Sequence, residues 1–163
     1  MMSPYDAGRD PPPSKHWRAE YFGKTVLDFG ADYGSTAQFF LLEGAHKVIA
    51  VERDPKQYEQ LLKNSEGNAN MRCIAKDIQS GQHLEEILAL EPADICKMDI
   101  EHAERFLIDV SEKVLEQIPL YLIETHSPEI LSSLTLLFNR LGYKLEIERL
   151  PAANCSVLRA TRP

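Results

Sequence analysis

The chain has 163 residues, 44% of them hydrophobic, a formal net charge of −7, and 18 Lys and Arg scattered singly along it. This length suits one domain with one core, and without a basic stripe to neutralise phosphates no nucleic-acid partner is expected. No apolar run reaches the roughly 18 residues of a membrane helix, and the amino end lacks the charged start and apolar core of an export leader, so no membrane partner and a cytoplasmic location are expected.

Residues 1–15, with Pro11-Pro12-Pro13, carry turn formers and no periodicity, and read as a flexible leader to a single domain over 16–163. Trp17, Tyr21 and Phe22 follow as aromatics that seal a core edge. From Thr25 onward strands and helices alternate. Thr25–Phe29 reads as a strand, Ser35–Glu43 as a helix closed by Gly44, and Lys47–Val51 as a second strand. Asp54-Pro55 opens a helix with an acid cap and a proline in its first turn, Met71–Ala75 is a third strand, and Gln82–Leu90 a helix with Leu84, Ile87 and Leu88 on one face. Ala93–Ile100 reads as a fourth strand, the stretch from Ala103 to Leu115 as helical, and Leu120–Glu124 as a fifth strand. Ser127-Pro128 caps a helix whose Ile130, Leu131, Leu134, Leu137, Phe138 and Leu141 form one stripe ending at Gly142. Lys144–Leu150 and Cys155–Ala160 then pair as a hairpin. The expected fold is α/β: a doubly wound, Rossmann-like, mostly parallel seven-stranded sheet with a C-terminal antiparallel hairpin. Cys73, Cys96 and Cys155 are odd in number and lack C-x-x-C spacing, so they are expected to be reduced.

In such sheets ligands bind beyond the carboxyl ends of the strands, and the polar residues of this chain gather there. Asp28-Phe29-Gly30-Ala31-Asp32-Tyr33-Gly34 is a strand end with a glycine turn, and Val51-Glu52-Arg53 ends the second strand on an acid suited to ribose hydroxyls. A dinucleotide fingerprint would need glycine at 32, where this chain has an aspartate that repels a pyrophosphate. A cationic nucleoside fits better, and S-adenosylmethionine, with a sulfonium, an ammonium and no phosphate, is the expected cofactor. Asp77 is placed to accept from an adenine amino group, with Ile78 against the ring. Farther along, Lys97, Asp99 and Glu101 alternate and are expected to share one face of the fourth strand's end. His102 and His126 follow adjacent strands, so they can face one pocket with Asp99, Glu101 and Glu124. His126 is the first choice as general base, its ring oriented by Glu124. No metal is expected among these groups, because methyl transfer needs no Lewis acid and no helical H-x-x-x-H pair is present.

The run Cys96-Lys97-Met98-Asp99-Ile100-Glu101-His102-Ala103-Glu104 resembles the K-I-D-V-E-G-A-E signature of the FkbM-type S-adenosylmethionine-dependent methyltransferases. Asp28–Gly34 is similar to their D-V-G-A-N-x-G cofactor turn, Leu122–His126 to their I-E-x-H segment, and Leu137–Tyr143 to their L-x-x-x-G-Y helix end. Asp32 stands where that family has asparagine and His102 where it has glycine, so the imidazole either narrows the acceptor pocket or adds an acid/base group. The resemblance implies methyl transfer to a hydroxyl, on a small molecule or a sugar or lipid. It gives a cofactor set of Asp28, Gly30, Ala31, Asp32, Gly34, Glu52, Arg53, Asp77 and Ile78, and a catalytic set of His126, Asp99, Glu101, His102 and Glu124. Two other readings stay open: a cofactor-binding or interaction module without an acceptor pocket, and, less favoured, an NAD-dependent oxidoreductase.

Overall fold

In the computed structural model residues 16–151 and 154–163 are described. The expected leader, and Ala152 and Ala153 of the hairpin loop, lie outside them. Seven strands form one sheet: β1 Thr25–Phe29, β2 Lys47–Glu52, β3 Met71–Ala75, β4 Ile95–Met98, β5 Leu120–Thr125, β6 Lys144–Arg149 and β7 Ser156–Thr161. Their order is β3-β2-β1-β4-β5-β7-β6. The first five are parallel, and β7 runs antiparallel between β5 and β6. The helices are α1 Ser35–Leu42, α2 Pro55–Ser65, α3 Gly81–Leu90, α4 Glu112–Leu115 and α5 Pro128–Arg140. This is the seven-stranded α/β architecture expected from the sequence.

Central strands of such a sheet are buried on both faces, which is why they read as continuous apolar runs. Val26, Val48, Ala50 and Ile95 face one core with Phe39 and Phe40 of α1, Leu61 of α2, Trp17 and Tyr21. Leu27, Ile49, Val51, Cys96 and Met98 face the other, with Leu84 of α3, Phe106, Leu134 and Phe138. The aromatic seal holds for Trp17 and Tyr21, whose hydroxyl donates to the Trp17 carbonyl, whereas Phe22 is exposed. Asp54 caps α2 by accepting from the N–H groups of Lys56 and Gln57, and Ser127 caps α5 by accepting from that of Ile130.

Two segments depart from expectation. Strand β4 stops at Met98: the Asp99 N–H still donates to the Phe29 carbonyl, and the chain then turns sharply, with positive φ at Glu101 and His102. The stretch after it is a 3₁₀ segment, Ala103–Asp109, followed by the single-turn α4. No helix among the described residues is long and apolar enough to cross a membrane. Cys73, Cys96 and Cys155 are all free.

Candidate active site

The strand order reverses at β1 and β4, so the connections that leave their carboxyl ends run in opposite directions and open a crevice between them. Gly30 makes the close approach that shapes it. Its φ is +75°, and a Cβ built there would lie 1.8 Å from the carbonyl oxygen of Asp99. The turn then winds through Asp32 at φ 48° to Gly34 at φ 91°, from which α1 starts. Its amide groups are already committed: Gly30 and Ala31 donate to the Val51 carbonyl, Asp32 to Glu52 Oε2, and Gly34 to the Ala31 carbonyl. A phosphate would have to compete for these donors and meet carboxylates as well.

A cavity of about 320 Å³ opens against the turn. Its wall includes Gly30, Asp32, Glu52, Arg53, Asp77, Ile78, Asp99 and Glu101, joined by Gln57 and Lys76. Most of the expected cofactor set therefore meets at one surface. Asp28, Ala31 and Gly34 lie outside that wall. Asp28 is fully buried beneath the turn, where Oδ2 accepts from Thr36 Oγ1 at 2.6 Å and Oδ1 lies 3.0 Å from Lys97 Nζ. Parallel pairing sets Asp28 opposite Lys97, which puts both on the α1 face of the sheet. The Lys97 ammonium donates to the carbonyls of Phe29 and Gly30 and sits 5.5 Å above the Trp17 ring. Burial raises the Asp28 carboxyl despite that cation. For Lys97 burial acts downward, yet Asp28 and Asp99 outweigh it and hold the ammonium above its usual range.

Glu52 is buried rather than free at the rim. Oε1 accepts from the N–H groups of Arg53 and Asp54, and Oε2 from that of Asp32, so the carboxylate ties the glycine turn to the end of β2. Each oxygen has two lone pairs, and one on Oε2 remains for a ligand hydroxyl. Removing the side chain would orphan three backbone donors as well as weaken ligand binding.

At the edge of the cavity, Asp99, Glu101, Glu124 and His126 converge as expected, though not by strand alternation, since Asp99 and Glu101 lie past the end of β4. His126 Nε2 lies 3.5 Å from Asp99 Oδ1, 3.7 Å from Glu101 Oε2 and 3.9 Å from Glu124 Oε1. The ring is oriented not by Glu124 but by Glu104, a buried residue of the 3₁₀ segment that the expected catalytic set omits. Glu104 Oε1 is 3.0 Å from His126 Nδ1 and also accepts from the His126 N–H. That contact, with help from Asp99 and Glu101 against partial burial, carries His126 up to about 9. The Glu104 contact thus favours the protonated ring, which weakens His126 as a free base at neutral pH. Burial, and then Asp99, raises the Glu124 carboxyl. The better proton acceptors here are carboxylates.

His102 adds its ring 5.4 Å from that of His126. Its backbone conformation is one that favours glycine. Glu101 and His102 have φ of 51° and 70° at the centre of a turn closed by the Ala103 N–H on the Ile100 carbonyl, a pattern that favours glycine. His102→Gly is expected to keep or raise stability by up to about 1 kcal/mol, and His102→Val to lower it by about 1–2 kcal/mol. Urea midpoints of the two variants test this, and a loss in the glycine variant would show that the imidazole contact outweighs the strain.

No family model matches the chain. A stretch of 105 residues is 31% identical to "Uncharacterized protein 65" of Sulfolobus islandicus filamentous virus, covering 62% of this chain and 61% of that protein. The chain thus spans about three-fifths of the length of the curated relative it matches. Among solved structures it is similar to precorrin-6y C5,15-methyltransferase from Geobacter metallireducens, with a TM-score of 0.65 and 14% identity over 91% of this chain and 84% of that one. It is also similar to Aeropyrum pernix fibrillarin with natively bound S-adenosyl-L-methionine, at TM-score 0.66, 15% identity, and 86% and 67% coverage. These likenesses establish a Rossmann-like α/β fold of the kind seen in methyltransferase structures.

Proposed function

We propose that the chain binds S-adenosylmethionine at the Gly30 cavity and transfers its methyl group to an acceptor held beside Asp99 and His126. The observation that carries this reading is the cavity wall itself: Asp32, Glu52, Asp77 and Asp99 around a glycine turn whose amides are spent on the protein. That surface suits a cationic, phosphate-free nucleoside and disfavours NAD. The fold supports the reading, and the solved neighbours include a protein with that cofactor bound.

In this assignment Glu52 Oε2 takes a ribose hydroxyl and Asp77 the adenine amino group, with Ile78 beside the ring. Asp32 and Asp99 face the amino-acid portion. The cofactor supplies an electrophilic methyl group for in-line displacement, so the protein's share of catalysis is to align an acceptor and receive its proton. Glu124, with its raised carboxyl, and Asp99 are the acceptors in place, and the His126 cation balances their charge. A hydroxyl acceptor, on a small molecule, sugar or lipid, is the class we favour. It rests on the local sequence resemblance to the FkbM-type enzymes, to which the matched structures lend only the shared fold. Asp77 is exposed, so Asp77→Ala should fold normally. Losing its hydrogen bond should weaken S-adenosylhomocysteine binding by roughly tenfold. Thermal unfolding with the ligand tests this: a Tm rise in the wild type that shrinks in the variant is expected, and an undiminished rise would remove Asp77 from the site.

A further inference from the structure

The cluster at the ends of β4 and β5 has a feature that proton chemistry leaves unexplained. The His126 side chain is only 9% exposed, and its Nε2 is aimed at Asp99, Glu101 and Glu124 at 3.5, 3.7 and 3.9 Å. Direct N–H···O bonds run about 2.7–3.2 Å. Nε2 therefore faces these oxygens across a gap rather than bonding to one of them. Ligands about 2.1 Å from a tetrahedral ion stand roughly 3.4 Å apart, which is close to these separations.

A second observation comes from the other side of the ring. Glu104 is completely buried, takes Nδ1 at 3.0 Å, and leaves its Oε2 without a hydrogen-bond partner. A carboxylate on the far nitrogen is the arrangement that fixes the tautomer and direction of a metal-ligating histidine. Burying a glutamate to hold an imidazole is costly, and the cost is hard to justify if the ring serves only as a counter-ion.

From this geometry we infer that His126 Nε2, Asp99 and Glu101 form a binding site for one divalent transition-metal ion, of the manganese(II) or zinc(II) class. Imidazole with carboxylates selects such ions over magnesium or calcium, which favour all-oxygen shells. Glu101 comes to the site through the left-handed turn at 101–102. Asp99 and Glu101 also line the Gly30 cavity, so the ion would stand at its mouth. Binding of the ion does not depend on the transferase reading, but its role does. A hydroxyl coordinated there would lose its proton to solvent more readily. Its oxygen would form the new bond to the methyl carbon as the carbon–sulfur bond breaks, leaving a methyl ether, a neutral thioether and one proton.

The test uses the full chain stripped with EDTA and desalted, with no nucleoside present, titrated by calorimetry with manganese(II), zinc(II) and magnesium(II) chlorides separately. One equivalent of manganese or zinc should bind saturably, with magnesium at least tenfold weaker. Glu101 is 71% exposed, so Glu101→Gln should fold as the wild type does while binding at least tenfold more weakly. Glu104→Gln should reduce affinity 10- to 100-fold by loosening the ring. The cobalt(II) visible spectrum should change in Glu104→Gln, which a purely structural role would not produce. Absence of a saturable site, or unchanged affinity in Glu101→Gln, would overturn the inference. So would loss of binding in Cys155→Ser alone, which would move the ion to the Glu124–His126–Cys155 side of the ring. Because no nucleoside is present, failure here leaves the cofactor assignment standing, and failure of that assignment leaves this result readable.

Discussion

Lys97→Met is expected to lower stability by about 3–5 kcal/mol, because it leaves the Asp28 carboxylate buried without a counter-charge. Both groups are almost fully buried, and the ammonium also satisfies the carbonyls of Phe29 and Gly30. Its loss would loosen the glycine turn as well as the pair. The pH dependence should change with it. Burial already raises the Asp28 carboxyl, and Lys97 is the main influence holding it down. Without Lys97 the folded-state value rises further above the unfolded one, so the variant should lose stability as pH rises through that range and regain it as pH falls and Asp28 is protonated. Adding Asp28→Asn should recover much of the loss, since replacing both members of a buried pair is far milder than removing one. Urea unfolding of the two single variants and the double one provides the test; a loss in the double variant equal to the sum of the two single losses would show that the pair is not coupled.

Gly30→Ala should be as severe, for a steric reason. The added methyl group would sit 1.8 Å from the Asp99 carbonyl oxygen and 2.9 Å from its carbon, and a backbone carbonyl cannot swing aside as a long side chain can. Either β1 and β4 part at their carboxyl ends or the turn changes hand, and both deform the cavity. A loss of about 3 kcal/mol or more is expected, or roughly 6–12 °C in Tm for a chain of this size. Gly67→Ala is the control. Gly67 has φ +78°, but a methyl group there would meet nothing within 4 Å, so it should lose only the ~1–2 kcal/mol of the left-handed backbone. Equal losses in the two variants would mean that close approach at Gly30 is not what demands glycine.

The fold was legible because burial on two faces writes itself into local sequence. Val48, Ile49, Ala50 and Val51 make a continuous apolar run, and helix signals such as Asp54-Pro55 and Ser127-Pro128 mark where each crossover begins. The end of β4 was less legible: alternation of Lys97, Asp99 and Glu101 extends the strand by pattern, whereas the turn with positive φ at Glu101 and His102 ends it.

Site residues at strand ends could be located, but not their partners. Asp28 at a strand end looks like a ligand, and only the register that places it opposite Lys97 shows it sealed beneath the turn. Glu104 lies within the signature-like run, yet its partner His126 is 22 residues away and meets it only through the packing of the 3₁₀ segment against the end of β5. Hydrogen bonds to backbone, such as those of Glu52, leave no periodic trace in a sequence at all.

The central claim is that the Gly30 cavity takes a cationic nucleoside without phosphate. Isothermal titration calorimetry of the full chain with S-adenosylmethionine and, separately, with NAD tests it most directly. One saturable site for S-adenosylmethionine and no heat of binding for NAD is the predicted result; saturable NAD binding with no response to S-adenosylmethionine would contradict it.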